Sequence, residues 1–386
     1  MDEKIKFLDL GRQPLANGFL EKETDPEFFY NLIVNFDPRS SLVSLNKFIE
    51  PGKMFNGGYH YVSSGSETMR KHFSDAAHMI NKTFMPKKVL EIGSNDGVFI
   101  SHFEKSIGFA VEPCDNFATI TNNIGYKTWP IFWDNNATSI VTTDGLYDVI
   151  FSANCLSHIS TISDTFIAIR DSLTKYGVLI MEEPSMLSVI ERGSYDQIYD
   201  EHAYIFSTLS LSFILSLFGL RIFRIDNLSI HGGSLRYYID KEHQEVEKSV
   251  ADQIYLEKQA KINNIETYNK FATRIMKSKD DLRSLLIQLK DQNKKIISYG
   301  ATGKSTTIFN YCGIGPEIID FITDSTKNKQ GKFSPGMHIP IKAPEHFDNT
   351  VDFAFLGAWN FKNYILEKEG NYRGKWITHV PDVHII

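Results

Sequence analysis

From Lys88 onward the chain alternates short apolar, β-branched runs with helical stretches, and each run ends on Gly, Asp, Asn or Pro. KVLEIG, FAVEP, YDVIFSAN and GVLIMEEP are the clearest of these runs. That alternation specifies a parallel sheet whose strands are joined by crossover helices, an α/β class of fold. After GVLIMEEP come a helix and two more strand candidates, LRIFRID and SLRYYID, with only the turn around HGGS between them. The sheet is therefore expected to end in an antiparallel hairpin. A second, smaller α/β unit begins at KIISYGATGKS and continues through IIDFITD and VDFAFLGAW.

With 386 residues, two or three domains are expected. Residues 1–80, broken by QPLANG, EPGKMFNGG and SSGS, read as a small irregular N-terminal domain, and 81–240 as the main α/β domain. Residues 241–295 are dense in charge and carry a stripe through Ile265, Tyr268, Phe271, Ala272, Ile275, Leu282, Leu285, Leu286 and Leu289, a helical connector whose apolar face packs. Residues 296–386 form the C-terminal Rossmann-like unit. A composition of 42% hydrophobic and 23% charged residues supports buried cores, and the net charge of −6 gives no general attraction to nucleic acid or an anionic membrane. The start MDEKIKFLDL has no secretory h-region, and Leu209–Leu220 is too short to span a bilayer and contains three serines, so a cytoplasmic protein is expected. Cys114, Cys155 and Cys312 are too few and too scattered for a disulfide framework or a zinc site, and no metal is expected.

Val89–Gly97, VLEIGSNDG, leaves a hydrophobic strand on a glycine turn, where Gly93 and Gly97 let a ligand approach the backbone. Twenty-one residues after Glu91 the next strand ends at Glu112, followed by Pro113, where a carboxylate can accept both hydroxyl hydrogens of an adenosine ribose. The turn lacks the second glycine of a pyrophosphate cradle and has Asp96 beside Asn95, which repels phosphate but suits a sulfonium and an ammonium. S-adenosylmethionine (SAM) is thus the better electrostatic match. Phe132 or Trp133 can stack on its adenine, or serve the core.

The fourth strand exits into Ser152–His158, SANCLSH, so Asn154 and His158 border the crevice at the carboxyl ends of the strands. Downstream, Tyr199, Glu201 and His202 fall within four residues: imidazole can act as a base, the carboxylate can orient it, and the phenol can donate to an oxyanion. A solvated loop is the plainer explanation of such a cluster. His231, Gly232, Gly233, Ser234 and Arg236 read either as an anion nest with an arginine fork or as a simple hairpin turn. SYGATGKS has serine at 298 where a P-loop needs glycine, which excludes an ATPase. Gly300, Thr302, Gly303 and Lys304, with the helix start that follows, can still bind a diphosphate.

The ordered blocks LDLGRQPLANGF, YHYVSSGSE, VLEIGSNDG, ANCLSHI, IYDEHAYIFS, HGGSLRYYI, YGATGKSTTIFNYCGIG, KQGKFSPGMHIPI and AWNFKNYI cover nearly the whole chain. Together they resemble the SAM-dependent sugar C-methyltransferases that act on nucleotide-linked 4-keto sugars. The resemblance implies an N-terminal module, a central class I methyltransferase sheet that binds SAM, and a C-terminal Rossmann-like domain that helps hold the sugar nucleotide. It also implies acid/base roles for His158, Tyr199, Glu201, His202 and one of Tyr59 and Tyr61. The family's N-terminal module binds zinc through four cysteines; this chain has none before Cys114, and FDPRSSLVSL stands where a pair would lie. Its zinc is expected to be absent.

The chemistry so implied removes the C3 hydrogen beside a C4 ketone, with His202 as the base and Glu201 orienting it, so that the enolate attacks the SAM methyl group. Sugar O-methylation and a catalytically silent sugar-nucleotide-binding protein are the alternatives. No protein partner is implied, and the charge speaks against a nucleic-acid methyltransferase.

Overall fold

A computed structural model describes residues 4–386. Strands β1 (Ile5–Pro14), β2 (Phe29–Phe36) and β3 (Val43–Leu45) pair antiparallel, and the short helix α1 (Pro51–Met54) follows. A regular sheet thus stands where the sequence reads as irregular. β1 hides its alternation because its register shifts between Lys6 and Leu8 and between Asp9 and Arg12, so Phe7, Leu8 and Leu10 are all buried. Helix α2 (Glu67–Phe84) is capped by Ser66, whose side chain accepts from the Met69 amide. It buries Phe73, Ala76, Ala77 and Ile80 among Val89, Val149 and Val178 of the central sheet, so the expected division at residue 80 falls inside a helix.

The central unit runs β4 (Val89–Ile92), β5 (Gly108–Val111), α3 (Asp115–Asn123), β6 (Lys127–Trp129), α4 (Asn135–Val141), β7 (Tyr147–Ala153), α5 (Ile162–Ser172), β8 (Leu173–Pro184), α6 (Met186–Arg192), β9 (Tyr204–Ile205), α7 (Thr208–Ser216) and the hairpin β10 (Arg221–Leu228) and β11 (Ser234–Asp240). The sheet order is β10-β11-β8-β7-β4-β5-β6; β6, β5, β4, β7 and β8 are parallel, and β11 is antiparallel to both its neighbours. This is the class I methyltransferase arrangement. Its inner strands are covered on both faces, which is why they read as continuous apolar runs. β9 leaves this unit and pairs with β3, completing the sheet β1-β2-β3-β9 and holding the segment before it against the N-terminal strands.

Helices α8 (Lys248–Gln259) and α9 (Ile265–Asp291) form the connector, and α9 buries Tyr268, Phe271, Ile275, Leu282, Leu286 and Leu289 in a core shared with β1, β2 and the C-terminal unit. That unit runs β12 (Ile296–Tyr299), α10 (Gly303–Cys312), β13 (Ile322–Thr323), β14 (Ile341–Lys342), β15 (Phe353–Leu356), α11 (Lys362–Lys368), β16 (Lys375–Thr378) and β17 (His384–Ile385). Its order is β14-β13-β12-β15-β16-β17, parallel except for β17. Both α/β sheets reverse their strand order beside a glycine turn, after β4 and after β12, and such switch points open a crevice at the carboxyl ends of the strands. Among the described residues no helix is long and apolar enough to cross a membrane.

Candidate active site

Two cavities lie at these carboxyl ends. The first, of about 570 Å³, is walled by Gly93, Asn95, Glu112, Pro113, Phe132, Trp133 and Asn154. Four carboxylates border it, Glu50, Glu112, Asp134 and Asp164, and among the described residues no Lys or Arg does. That charge pattern rejects phosphate and fits a sulfonium with its ammonium. Glu112 is buried, accepts from the Asn95 amide at 2.7 Å and the Cys114 amide at 2.8 Å, and burial raises its carboxyl. The Asn154 Oδ1 is buried without a partner, an acceptor available to a donor in the cavity. These residues fit SAM.

Glu91, Asp96 and Gly97 do not line this cavity. Glu91 is buried and accepts from the Ile100 amide at 3.1 Å, fixing the helical turn that follows the glycines. Gly93 and Gly97 have φ of +77° and +78°; a Cβ on Gly93 would overlap Cys155, so the residue also makes room within the protein.

The second cavity, of about 480 Å³, lies between the central and C-terminal units. Its lining includes Tyr199, Glu201, His202, Gly300, Thr302, Gly303 and Lys304, together with Lys329 and Lys368. The two cavities share Tyr59, Tyr61, Asn154, His158 and His231. One is acidic and the other carries lysines, and they adjoin where the acid/base candidates stand.

Beside that junction, on the wall of the second cavity, His202 is buried, and its Nδ1 donates to the Gln197 carbonyl oxygen at 2.5 Å. Its ring stacks on His158 with centroids 5.1 Å apart and lies 4.2 Å from that of Tyr199. Burial, against the Gln197 bond, lowers the imidazole to about 4, so it is neutral at pH 7. His158 is lowered well below its ordinary value by burial and by His202, and its Nε2 has no partner. Glu201 does not orient His202. Its Oε1 accepts from Asn17 Nδ2 at 2.6 Å and its Oε2 from the Tyr59 hydroxyl at 2.9 Å. Burial raises Glu201 and also Asp200, which accepts from the Ala16 amide and faces the Glu201 charge. Tyr59 is thereby tied to the cluster; Tyr61 lines both cavities but is more exposed.

The hairpin turn is arranged for packing. His231 lines both cavities, and burial lowers it to about 3, but Gly232 makes room for the Trp359 ring and Gly233 for Ser188. Gly232, Gly233, Ser234 and Arg236 line neither cavity. Arg236 donates to Glu182 at 2.6 Å, its partner across β8 and β11, and His72 meets the other oxygen at 2.6 Å. The guanidinium is therefore committed to a carboxylate. Asn17, Lys329 and the Gln197 carbonyl are site groups that sequence reasoning missed. Asp324 was also missed, although it carries the same signal as Glu112, an acid at the end of a second strand.

Three family models match in tandem: "Putative zinc binding domain" over residues 1–55, "Methyltransferase domain" over 66–224 and "C-methyltransferase C-terminal domain" over 229–381. Residues 1–55 contain no Cys or His, so the first match does not bring a zinc-ligand set with it. The C-methyltransferase NovU of Streptomyces niveus is 29% identical over 401 aligned residues, covering 100% of this chain and 95% of that protein. A SAM-dependent methyltransferase of Thermotoga maritima aligns with 45% of this chain and 91% of its own at 18% identity and a TM-score of 0.36. The magnesium protoporphyrin IX methyltransferase of Synechocystis aligns with 44% of this chain and 82% of its own at 14% identity and a TM-score of 0.33. The chain is a SAM-dependent methyltransferase, similar along its whole length to a C-methyltransferase.

Proposed function

We propose that the chain methylates carbon 3 of a nucleotide-linked 4-keto sugar, with His202 as the base. The observation that carries this reading is the fixed tautomer of His202: a carbonyl oxygen only accepts, so the Gln197 bond keeps the proton on Nδ1 and leaves the Nε2 lone pair free on a ring that lines the second cavity and stacks on His158, which lines both. When bound, SAM supplies a methyl group bonded to a positive sulfonium, which only a nucleophile can take.

Carbon becomes nucleophilic if a hydrogen next to a ketone is removed. His202 Nε2 takes the C3 hydrogen as a proton and leaves the electron pair shared between C3 and the ketone oxygen. The Tyr199 hydroxyl, beside the His202 ring, is the donor for that oxygen. Burial keeps the imidazole neutral until substrate arrives, and the imidazolium then forms next to an enolate of opposite charge. Tyr59, held by Glu201, and His158 bind neighbouring sugar oxygens. Lys304 and Lys329, with the start of α10, suit the diphosphate of the carrier. The name C-methyltransferase on the full-length relative favours carbon over oxygen as the acceptor.

Incubation with SAM and dTDP-, GDP- and CDP-linked 4-keto sugars tests this. A methyl mass increment with a C–CH₃ signal in the product NMR is expected. An O–CH₃ signal instead moves the reading to O-methylation, and no increment from any of the sugars overturns it.

A further inference from the structure

The Gln197 carbonyl that meets His202 belongs to the central unit, yet the turn that carries it is gripped from the C-terminal unit. Tyr195, Asp196 and Gln197 form a single helical turn after α6, and all three are buried. Asp196 Oδ2 accepts from Trp359 Nε1 at 2.6 Å, and its Oδ1 lies 3.3 Å from Nε2 of the buried His379. The Tyr195 hydroxyl meets Cys312 Sγ, at the end of α10, at 3.6 Å, and the Tyr195 and His379 rings pack edge to face with centroids 5.6 Å apart.

Trp359 and His379 stand where two paired strands of the C-terminal sheet end, just past β15 and β16. Lys304, in the first turn of α10, adds its charge from a third direction. A carboxylate buried on every side stays charged only where such partners meet it. Burial works to raise the Asp196 carboxyl, but His379, Lys304 and the Trp359 bond outweigh it and hold the group below its ordinary value. Asp196, Trp359 and His379 line neither cavity, so contact with a ligand does not account for a carboxylate at this place.

The turn carries that grip to the imidazole. A peptide unit is planar, and in the trans form its N–H and C=O point in opposite directions. The Ile198 amide donates to the Tyr195 carbonyl at 3.0 Å, which fixes the plane of the Gln197–Ile198 peptide and turns the Gln197 carbonyl the other way, toward His202 Nδ1. The Tyr195 carbonyl is itself part of the Tyr195–Asp196 peptide, whose two side chains are the ones held by the C-terminal unit. Bonds from the Gln197 amide and side chain to Ser194 complete the turn.

We infer that Trp359 and His379 are positioning residues for the base: by holding Asp196 they set the Gln197 carbonyl, which keeps the His202 proton on Nδ1. The docked C-terminal unit thereby completes the base from a distance. This rests on the role proposed above for His202.

Nitrogen NMR of the full chain labelled with ¹⁵N-histidine, with S-adenosylhomocysteine bound, reads the tautomer directly; the His202 signals are those missing from His202→Asn. At pH 7 the wild type is expected to show a protonated Nδ1 and a bare Nε2. Trp359→Phe, which keeps an aromatic ring without its N–H, is expected to show both tautomers. With the 4-keto sugar nucleotide that the wild type methylates, its kcat is expected to fall about tenfold or more at an unchanged KM, because a base is displaced and no acceptor contact is removed. Asp196→Asn keeps the shape but leaves Trp359 the weaker bond of a neutral acceptor, and should move both readouts in the same direction. Calorimetry with S-adenosylhomocysteine shows whether each variant is folded. If a variant that binds it keeps a single His202 tautomer and the wild-type kcat, the positioning role is overturned while His202 stands as the base. If neither variant binds it, the contact serves the fold at large and the role is overturned as well. If His202→Asn methylates normally, the base reading itself falls, and this inference with it.

Discussion

The carbonyl oxygen of Gln197 lies 2.5 Å from His202 Nδ1, five residues further along the chain, and this bond decides which nitrogen of the imidazole proposed as the base is free. His202→Asn is therefore expected to bind SAM as the wild type does while losing about 10²- to 10⁴-fold in turnover. Deuterium wash-in at C3 of the acceptor, measured without SAM, should disappear with it. Normal C-methylation by the variant would refute the assignment.

As the proposed base, the same residue is expected to set the acid limb of the pH profile. Burial lowers His202 to about 4, so protonation disables it only as the pH falls toward that value. A base near the ordinary value of 6.5 would keep only about a tenth of its active form at pH 5.5. Here kcat/KM at pH 5.5 should be undiminished by this group. An acid limb centred near 6.5 that is removed by His202→Asn would show that the imidazole is not desolvated as described.

Glu183, at the end of β8, is buried; its Oε1 accepts from the Ser157 amide at 3.0 Å and its Oε2 has no partner. Burial pushes its carboxyl up to about 7 from an ordinary 4.5. The folded chain thus holds this proton more tightly than the unfolded chain. Its contribution to stability is complete below pH 4.5 and is lost as the pH rises through about 7. Glu183→Gln, neutral throughout, should gain about 3 kcal/mol on the wild type between pH 4.5 and pH 8, which urea denaturation at the two pH values measures. A gap that does not change with pH would contradict this.

Gly232 has φ of +82°, and a methyl group there would overlap the Trp359 ring, whose Nε1 donates to the buried Asp196 at 2.6 Å. Gly232→Ala is expected to cost about 2 kcal/mol or more, combining backbone strain, overpacking and a buried carboxylate oxygen left without its partner. Tryptophan emission should shift along with the denaturation midpoint. A variant of wild-type stability would mean that the hairpin and the C-terminal unit separate freely at this contact.

The sequence made the parallel sheet, its hairpin and the Gly93–Glu112 pair legible because each is written in local residue types and spacings. Arg236 was not legible: it looks like an anion fork until strand register places it opposite Glu182, and register is a long-range property. Nor was the partner of His202, because a backbone carbonyl belongs to no residue type. Asn17 reaches Glu201 from 184 positions away, through the docking of the N-terminal sheet. The antiparallel β1 was hidden by its own bulges.

Asn95 joins the cofactor turn to the acceptor side of the site. Its side chain accepts from the Ser63 amide at 2.8 Å and donates to the Tyr61 carbonyl at 3.1 Å, while its own amide donates to Glu112. The segment so pinned carries Tyr59, which bonds Glu201. Because Asn95 has φ of +48°, glycine is the substitution that keeps the backbone and removes only the side chain. Two lost hydrogen bonds of about 1 kcal/mol each free a segment that lines both cavities. Asn95→Gly should therefore raise the SAM Kd and the acceptor KM together, each by about fivefold if half of that energy acts on each ligand, while the acid limb proposed for His202 stays in place. A rise in the SAM Kd alone would mean that the Tyr59–Ser63 segment keeps its position without Asn95, and that the two cavities are independent.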